Sequence, residues 1–173
     1  MLESGRETEL ARRAAGSERE ALRHLYEHYS DELFAVAHRL TDSVADARDV
    51  LHDVFSGLPV SLQTFKYDQP VGPWLRAVTT RTALMLLRKK ARRREVSILH
   101  EDVPSRPIGV LDAIALERAL ASLPEKLRTV LILKEVEGYS HKEIGELLNI
   151  DPSASAVRLF RARERLRAVL VER

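Results

Sequence analysis

The chain of 173 residues contains no cysteine, which excludes disulfides, thiolate nucleophiles, Cys-ligated zinc and iron–sulfur clusters together. Aromatic residues are scarce, at 5% with a single Trp, so any stacking role falls on very few rings. Long apolar runs are also missing: Ala83 to Leu87 and Val130 to Leu133 fall far short of the ~20 residues a spanning helix needs. The N-terminus, Met-Leu-Glu-Ser-Gly-Arg-Glu, has no apolar segment of the kind a signal peptide carries. These absences predict a cytoplasmic protein. The length suits one domain or two small ones and excludes a large multidomain enzyme.

Catalytic signatures are absent as well. His24 and His28 lie four apart, the spacing of a helical metal pair, but no His-Glu-x-x-His pattern or third ligand accompanies them. No Gly-rich phosphate loop and no paired nucleophile and base emerge. The expectation is a protein that is not an enzyme, with no metal and no cofactor.

What is abundant is charge. Charged residues make up 31% of the chain and nearly cancel, 28 Lys plus Arg against 26 Asp plus Glu for a net +2. The order along the chain is more informative than the total. Asp31 to Phe55 holds six acids and two bases, whereas Arg76 to Arg94 holds eight bases and no acid. The pattern repeats, with five bases and eight acids from Asp112 to Asp151, then six bases and two acids from Val157 to Arg173. Like charges at helical spacing repel unless a partner neutralises them, and a polyanion is the obvious partner for an uninterrupted basic run.

Periodicity predicts an all-helical chain of two small domains joined by a flexible linker. Ser17 with Glu20 reads as a capping box opening a segment to about Tyr29, and Asp31 to Leu40 continues it. Thr41-Asp42-Ser43 breaks and recaps the chain. Val44, Ala47, Val50, Leu51, Val54, Phe55 and Leu58 then form a 3.6-period stripe that stops at Pro59. Residues 60 to 73 look like a loop, and Pro73 stands at the first turn of a helix from Trp74 to about Arg94. About four helices make up this first domain, residues 1–95. Pro104, Pro107 and Gly109 mark a linker over 96–111, and 112–173 is helical again, starting with Ile114 and Leu116. A helix with Leu127, Val130, Leu131 and Leu133 stops at Gly138. Ser140 and Glu143 form a second capping box, and Asp151 or Ser153 caps a last helix running to about Val171.

Two short helices joined by a tight turn, the second rich in Arg, match the helix-turn-helix layout. Ile144, Leu148, Ile150 and Leu159 supply the apolar contact, while Gly145 and Ala156 are small enough for close approach. Ser153, Ser155 and Arg158 are the expected readers of base edges, and Lys142, Arg161 and Arg163 the expected phosphate contacts. In the first domain Phe65, Lys66, Tyr67 and Gln69 precede Trp74 at the start of the basic helix. Rings interleaved with cations suit single-stranded nucleic acid, though Trp74 also fits a core position.

The sequence Leu25-Tyr26-Glu27-His28-Tyr29-Ser30-Asp31-Glu32-Leu33-Phe34, then Asp46-Ala47-Arg48-Asp49-Val50-Leu51-His52-Asp53-Val54-Phe55, then Pro73-Trp74-Leu75 running into Leu86-Leu87-Arg88-Lys89 resembles region 2 of the extracytoplasmic-function (ECF) sigma factors of the sigma-70 family. Ala119 to Arg128, Glu137-Gly138-Tyr139-Ser140 with Glu143-Ile144, and Leu159 to Arg167 resemble region 4. The likeness spans about residues 18 to 171. It implies a bacterial initiation factor that binds core RNA polymerase, at the β′ clamp helices and the β flap, and directs it to promoter DNA, with an anti-sigma factor as regulator.

On that likeness Asp46, Asp49, His52, Asp53 and Phe55 face polymerase. Phe65, Lys66, Tyr67, Trp74, Arg76, Arg81, Arg88 and Lys89 recognise and melt the −10 element, and the helix-turn-helix reads the −35 element. The chain departs from the family pattern at Arg48 and His52, where a carboxylate and an amide are usual, at Thr80-Arg81-Thr82 in place of Arg-Asn-Arg, at Met85, and at Ser155-Ala156. Two other readings stay open on the sequence: a sigma-like mimic that binds an anti-sigma factor or polymerase without starting transcription, and a stand-alone helix-turn-helix regulator.

Overall fold

A computed structural model describes residues 4–96 and 119–171. The chain divides into two compact units, Met1–Arg93 and Arg94–Arg173, and among the described residues all regular structure is helical. The segment expected to be a linker, with the Ile114 and Leu116 positions after it, lies almost wholly outside the described residues.

The first unit is built on one long helix, α2 (Arg19–Thr41), which buries Ala21, Leu25, Tyr29, Leu33, Val36, Ala37 and Leu40. These positions recur three and four apart, the spacing of a single helix face. At Asp42 the backbone turns left-handed, with φ 55°. Ser43 then caps α3 (Val44–Ser56), its hydroxyl accepting the Asp46 N–H at 3.3 Å. The expected break and recap at Thr41-Asp42-Ser43 therefore forms. Helix α3 buries Ala47, Val50, Leu51 and Val54 against α2, and contact between the rings of Tyr26 and Phe55 shows that the two run antiparallel.

Residues 60–73 are not all loop: the chain re-enters a short helix, α4 (Leu58–Leu62), in which Pro59 occupies the first turn and so opens a helix instead of stopping one. Helix α5 begins at Val71 and runs to Val96, three residues earlier than Trp74. Tyr29 explains the glycine in its first turn: a Cβ at Gly72 would come within 3.2 Å of the Tyr29 ring. Because Gly72 meets Tyr29 and Arg76 meets Glu32 at 3.3 Å, α5 follows the direction of α2.

Ahead of α2 lies an element that the sequence reading missed, α1 (Ser4–Ala15), which buries Leu10, Ala11 and Ala14 against α2 and α4. The expected capping box at Ser17 and Glu20 does not form. Ser17 adopts a left-handed φ of 62°, its N–H bonds back to the Ala14 carbonyl, and it closes α1. Glu18 precedes α2 without capping it by its side chain, and its carboxylate is held by the Arg13 guanidinium.

In the second unit, α6 (Glu125–Leu131) widens into a π-turn over Ile132–Val136, where the Glu137 N–H reaches back five residues to the Ile132 carbonyl. Gly138, at φ 77°, ends it where a stop was expected. Helix α7 (His141–Leu148) starts from a complete capping box: Ser140 Oγ accepts the Glu143 N–H, and the Glu143 carboxylate accepts the Ser140 N–H at 2.7 Å. Asn149 turns left-handed at φ 53°, and α8 (Pro152–Val171) follows directly after Asp151.

The turn between α7 and α8 is tight because Gly145 lies against backbone. A Cβ there would stand 2.7 Å from the Ile150 carbonyl oxygen, closer than packed atoms allow. Gly145→Ala is therefore expected to destabilise this unit by about 1–3 kcal/mol through overpacking, while Ala154→Gly, a change at a half-buried position in the first turn of α8, costs about 1 kcal/mol. Urea denaturation of the two variants checks the ranking.

Candidate nucleic-acid interface and adjoining groove

Because α2 and α3 pack along one face each, their outer edges form an open groove of about 470 Å³ lined by Tyr26, Arg48, Leu51, His52, Phe55 and Ser56. Tyr26 is 47% exposed and meets the Phe55 ring edge-on at 4.9 Å, so two large rings present apolar surface to solvent. Asp49, His52 and Asp53 are exposed beside it, and the His52 ring lies near both Asp53 and Ser56. Of the five residues expected to face polymerase, four thus lie on one side of α3. Tyr26 joins them from α2; its partner ring, Phe55, is 29 residues away in sequence, and no local spacing signals the pairing.

Asp46 is the exception. It is 9% exposed, and its carboxylate is bound by the Lys90 ammonium of α5 at 2.5 Å. A side chain enclosed by its own fold is committed to holding α5 against α3 and has little surface left for a partner.

The basic helix is likewise less bare than its sequence suggests. Arg76 pairs with Glu32 and Lys90 with Asp46, whereas Arg81, Arg88 and Lys89 are exposed. The aromatic loop also divides. Phe65 is 5% exposed, so it is a core residue and not a stacking platform. Its ring supports Tyr67 at 5.1 Å and Trp74 at 4.8 Å, both half-buried with surface to spare. Lys66 is exposed between them in sequence. Thr80, where the family pattern has Arg, is fully buried, and its hydroxyl has no hydrogen-bond partner among the described residues.

The helix-turn-helix keeps its expected core in Ile144 and Leu159, but the roles of two small residues are exchanged. Ser155, expected to read bases, is fully buried, with Oγ 3.0 Å from His141 Nδ1; it links α7 to α8 and cannot reach a base edge. Ala156, expected at the close approach, is exposed. Helical spacing explains the exchange: Ser155, Leu159 and Ala162 share the inward face, which leaves Ser153, Ala156, Val157 and Phe160 outward at i, i+3, i+4 and i+7. Phe160 is 63% exposed. Arg158 is half-buried, and Lys142 and Arg161 are exposed. Arg163, an expected phosphate contact, bonds the Glu135 carboxylate at 2.6 Å and so spends part of its charge inside the unit.

No group of three or more His, Asp or Glu able to hold a metal occurs among the described residues. No helix of the described residues is long and apolar enough to cross a membrane.

An acid-edged apolar groove beside a basic helix in one unit, and a helix-turn-helix in the other, define a sigma-type transcription factor. Consistent with this, the family pattern described as Sigma-70 region 2 matches residues 25–93, and that described as Sigma-70, region 4 matches residues 113–166; the chain belongs to the sigma-70 family. Its relatives include ECF sigma factors. The ECF RNA polymerase sigma factor SigW of Bacillus subtilis is 25% identical over 169 residues, covering 88% of this chain and 90% of that protein. ECF sigma factor SigM of Mycobacterium tuberculosis is 29% identical over 163 residues, covering 93% and 82%. Among solved structures, the sigma factor RpoE in complex with the anti-sigma factor NepR from Bartonella quintana shares the fold, with a TM-score of 0.62 at 23% identity over 86% of this chain and 95% of that one.

The two kinds of acid on α3 separate by stability. Asp46→Ala, which leaves Lys90 without its partner, is expected to cost about 1 kcal/mol, within the range for a partly exposed ion pair. Asp49→Ala and Asp53→Ala are expected to stay within about 0.5 kcal/mol of the parent. Thermal unfolding of the three variants measures the difference. A pH scan tests the second unit: hydrogen bonds from Ser140 hold the Glu143 carboxyl below its usual pKa, so this contribution is present above the unfolded value and is lost as pH falls through the folded one. Glu143→Gln should flatten that acid limb.

Proposed function

We propose that this chain acts as an ECF sigma factor that binds core RNA polymerase and directs it to promoters through −10 and −35 elements. The observation that carries the reading is the ordered pair of units: the groove and basic helix of region 2, followed by the helix-turn-helix of region 4. Residues 1–95 form the polymerase-binding and −10 part, 96–111 the linker, and 112–173 the −35 part.

The α2–α3 groove takes the β′ clamp helices, with Tyr26, Leu51 and Phe55 supplying apolar contact and Asp49, His52 and Asp53 the polar rim. Lys66, Tyr67, Trp74, Arg81, Arg88 and Lys89 meet the −10 strand, the rings stacking on bases and the cations lying along phosphates. Ser153 and the outward face of α8 enter the major groove, with Lys142, Arg158 and Arg161 toward base edges and phosphates; the second unit also meets the β flap. An anti-sigma factor holds the protein in check, as the NepR complex exemplifies for its own sigma factor. The protein works in the cytoplasm and carries out no chemistry itself, the bond-forming step belonging to polymerase.

Run-off transcription with cognate core enzyme on a genomic template library is the direct test; a promoter-dependent product is expected, and its absence counts against the reading. DNA binding by the holoenzyme should weaken steeply with salt, because ~6 phosphate contacts give a log–log slope of about −5.

One observation favours the mimic reading. Arg48 lines the groove, where a carboxylate is usual in the family, and a cation there repels a basic clamp surface. If the chain is a mimic, Arg48→Glu with His52→Gln creates run-off activity that the parent lacks; a parent already active removes this reading.

A further inference from the structure

Helix α1 brings an unassigned cation to the aromatic loop. The Arg12 guanidinium lies 4.5 Å over the centre of the Tyr67 ring, and no motif in the sequence connects these two residues. The helix that carries it lies ahead of the region matched to the family, which begins at residue 25.

Three features fix Arg12 in place. Leu10, Ala11 and Ala14 bury the inner face of α1. Burial, then the Glu7 charge and a hydrogen bond that the Tyr29 hydroxyl donates to the Glu7 carboxylate, hold the phenol protonated well above its usual range and tie α1 to α2. At the far end Arg13 is tied to Glu18, so the neighbouring cation is engaged elsewhere. The ring beneath Arg12 is fixed as well: the Tyr67 hydroxyl donates to the Leu62 carbonyl at 3.2 Å, and buried Phe65 packs against it. Arg12 itself is exposed, so one side of its guanidinium meets the ring while solvent reaches the other.

A guanidinium is planar, delocalised and weakly hydrated, and it stacks on rings and on nucleobases alike. We infer that Arg12 and Tyr67 form one composite platform for an unpaired base of single-stranded DNA, with Arg12 as the outer layer and Lys66 beside it for the backbone. This deepens the proposed −10 function and rests on it. The platform makes α1 part of the DNA-binding surface, in addition to its packing role.

The test uses the full chain in holoenzyme and a fluorescent fork-junction DNA with an unpaired −10 strand, taken from a promoter active in run-off transcription. Arg12→Ala is expected to weaken binding about five- to tenfold, as for loss of one stacked base, and to reduce the log–log salt slope by about 0.7, one single-strand contact. Arg12→Lys should keep the salt slope and recover less than half of the affinity, because it keeps the charge and loses the plane. The double variant with Tyr67→Ala should be no weaker than Tyr67→Ala alone beyond the lost charge. If Tyr67→Ala weakens binding while Arg12→Ala leaves it unchanged or tightens it, the platform is wrong and Arg12 merely covers the ring. If Tyr67→Ala and Trp74→Ala both leave binding unchanged, the −10 reading itself fails. Thermal unfolding of Arg12→Ala and Arg12→Lys keeps loss of the α1 packing separate from loss of the platform.

Discussion

The antiparallel packing of α2 on α3 is the contact on which the first unit depends. Leu25, Leu33, Leu40 and Val50 are almost completely enclosed along it, and each fully buried leucine contributes roughly 1.5–3 kcal/mol relative to exposure. Once that seam is filled, the remaining faces of the two helices have little freedom. Tyr26 and Phe55 are left together at one edge, the acids of α3 stand beside them, and α5 has a surface to follow.

Charge is used twice in this arrangement. Some acids and bases that look complementary along the sequence neutralise each other inside the fold: Asp46 with Lys90, Glu32 with Arg76, Glu135 with Arg163. Other charges, among them Asp49, Asp53, Arg81 and Lys89, stay exposed and are the ones available to the surfaces proposed for polymerase and DNA. A small net charge is thus partly a set of internal ion pairs and partly a balance between surfaces of opposite sign. Arg48 is the residue that fits neither use, since it is exposed in the groove among carboxylates that would meet a basic partner.

The second unit depends on a backbone contact. Gly145 against the Ile150 carbonyl sets how closely α7 and α8 approach, and that closeness places Ser155 against His141. The outward face of α8 follows as a consequence: small and apolar residues with arginines on its flanks.

Helix class, the two-part organisation and the helix-turn-helix were legible in the sequence because they rest on local periodicity, capping chemistry and charge order. The Ser140–Glu143 box and the Asp42–Ser43 break depend on residues three or fewer apart, and both formed. Helix α1 was not legible, since a short polar segment shows its buried face only when α2 and α4 are there to cover it. Nor was the split among candidate site residues. Phe65, Asp46 and Ser155 have the side chains a surface site calls for, yet tertiary packing encloses all three. Sequence determined which residue types were available for binding; the fold decided which remained exposed, because burial depends on neighbours far away in the chain.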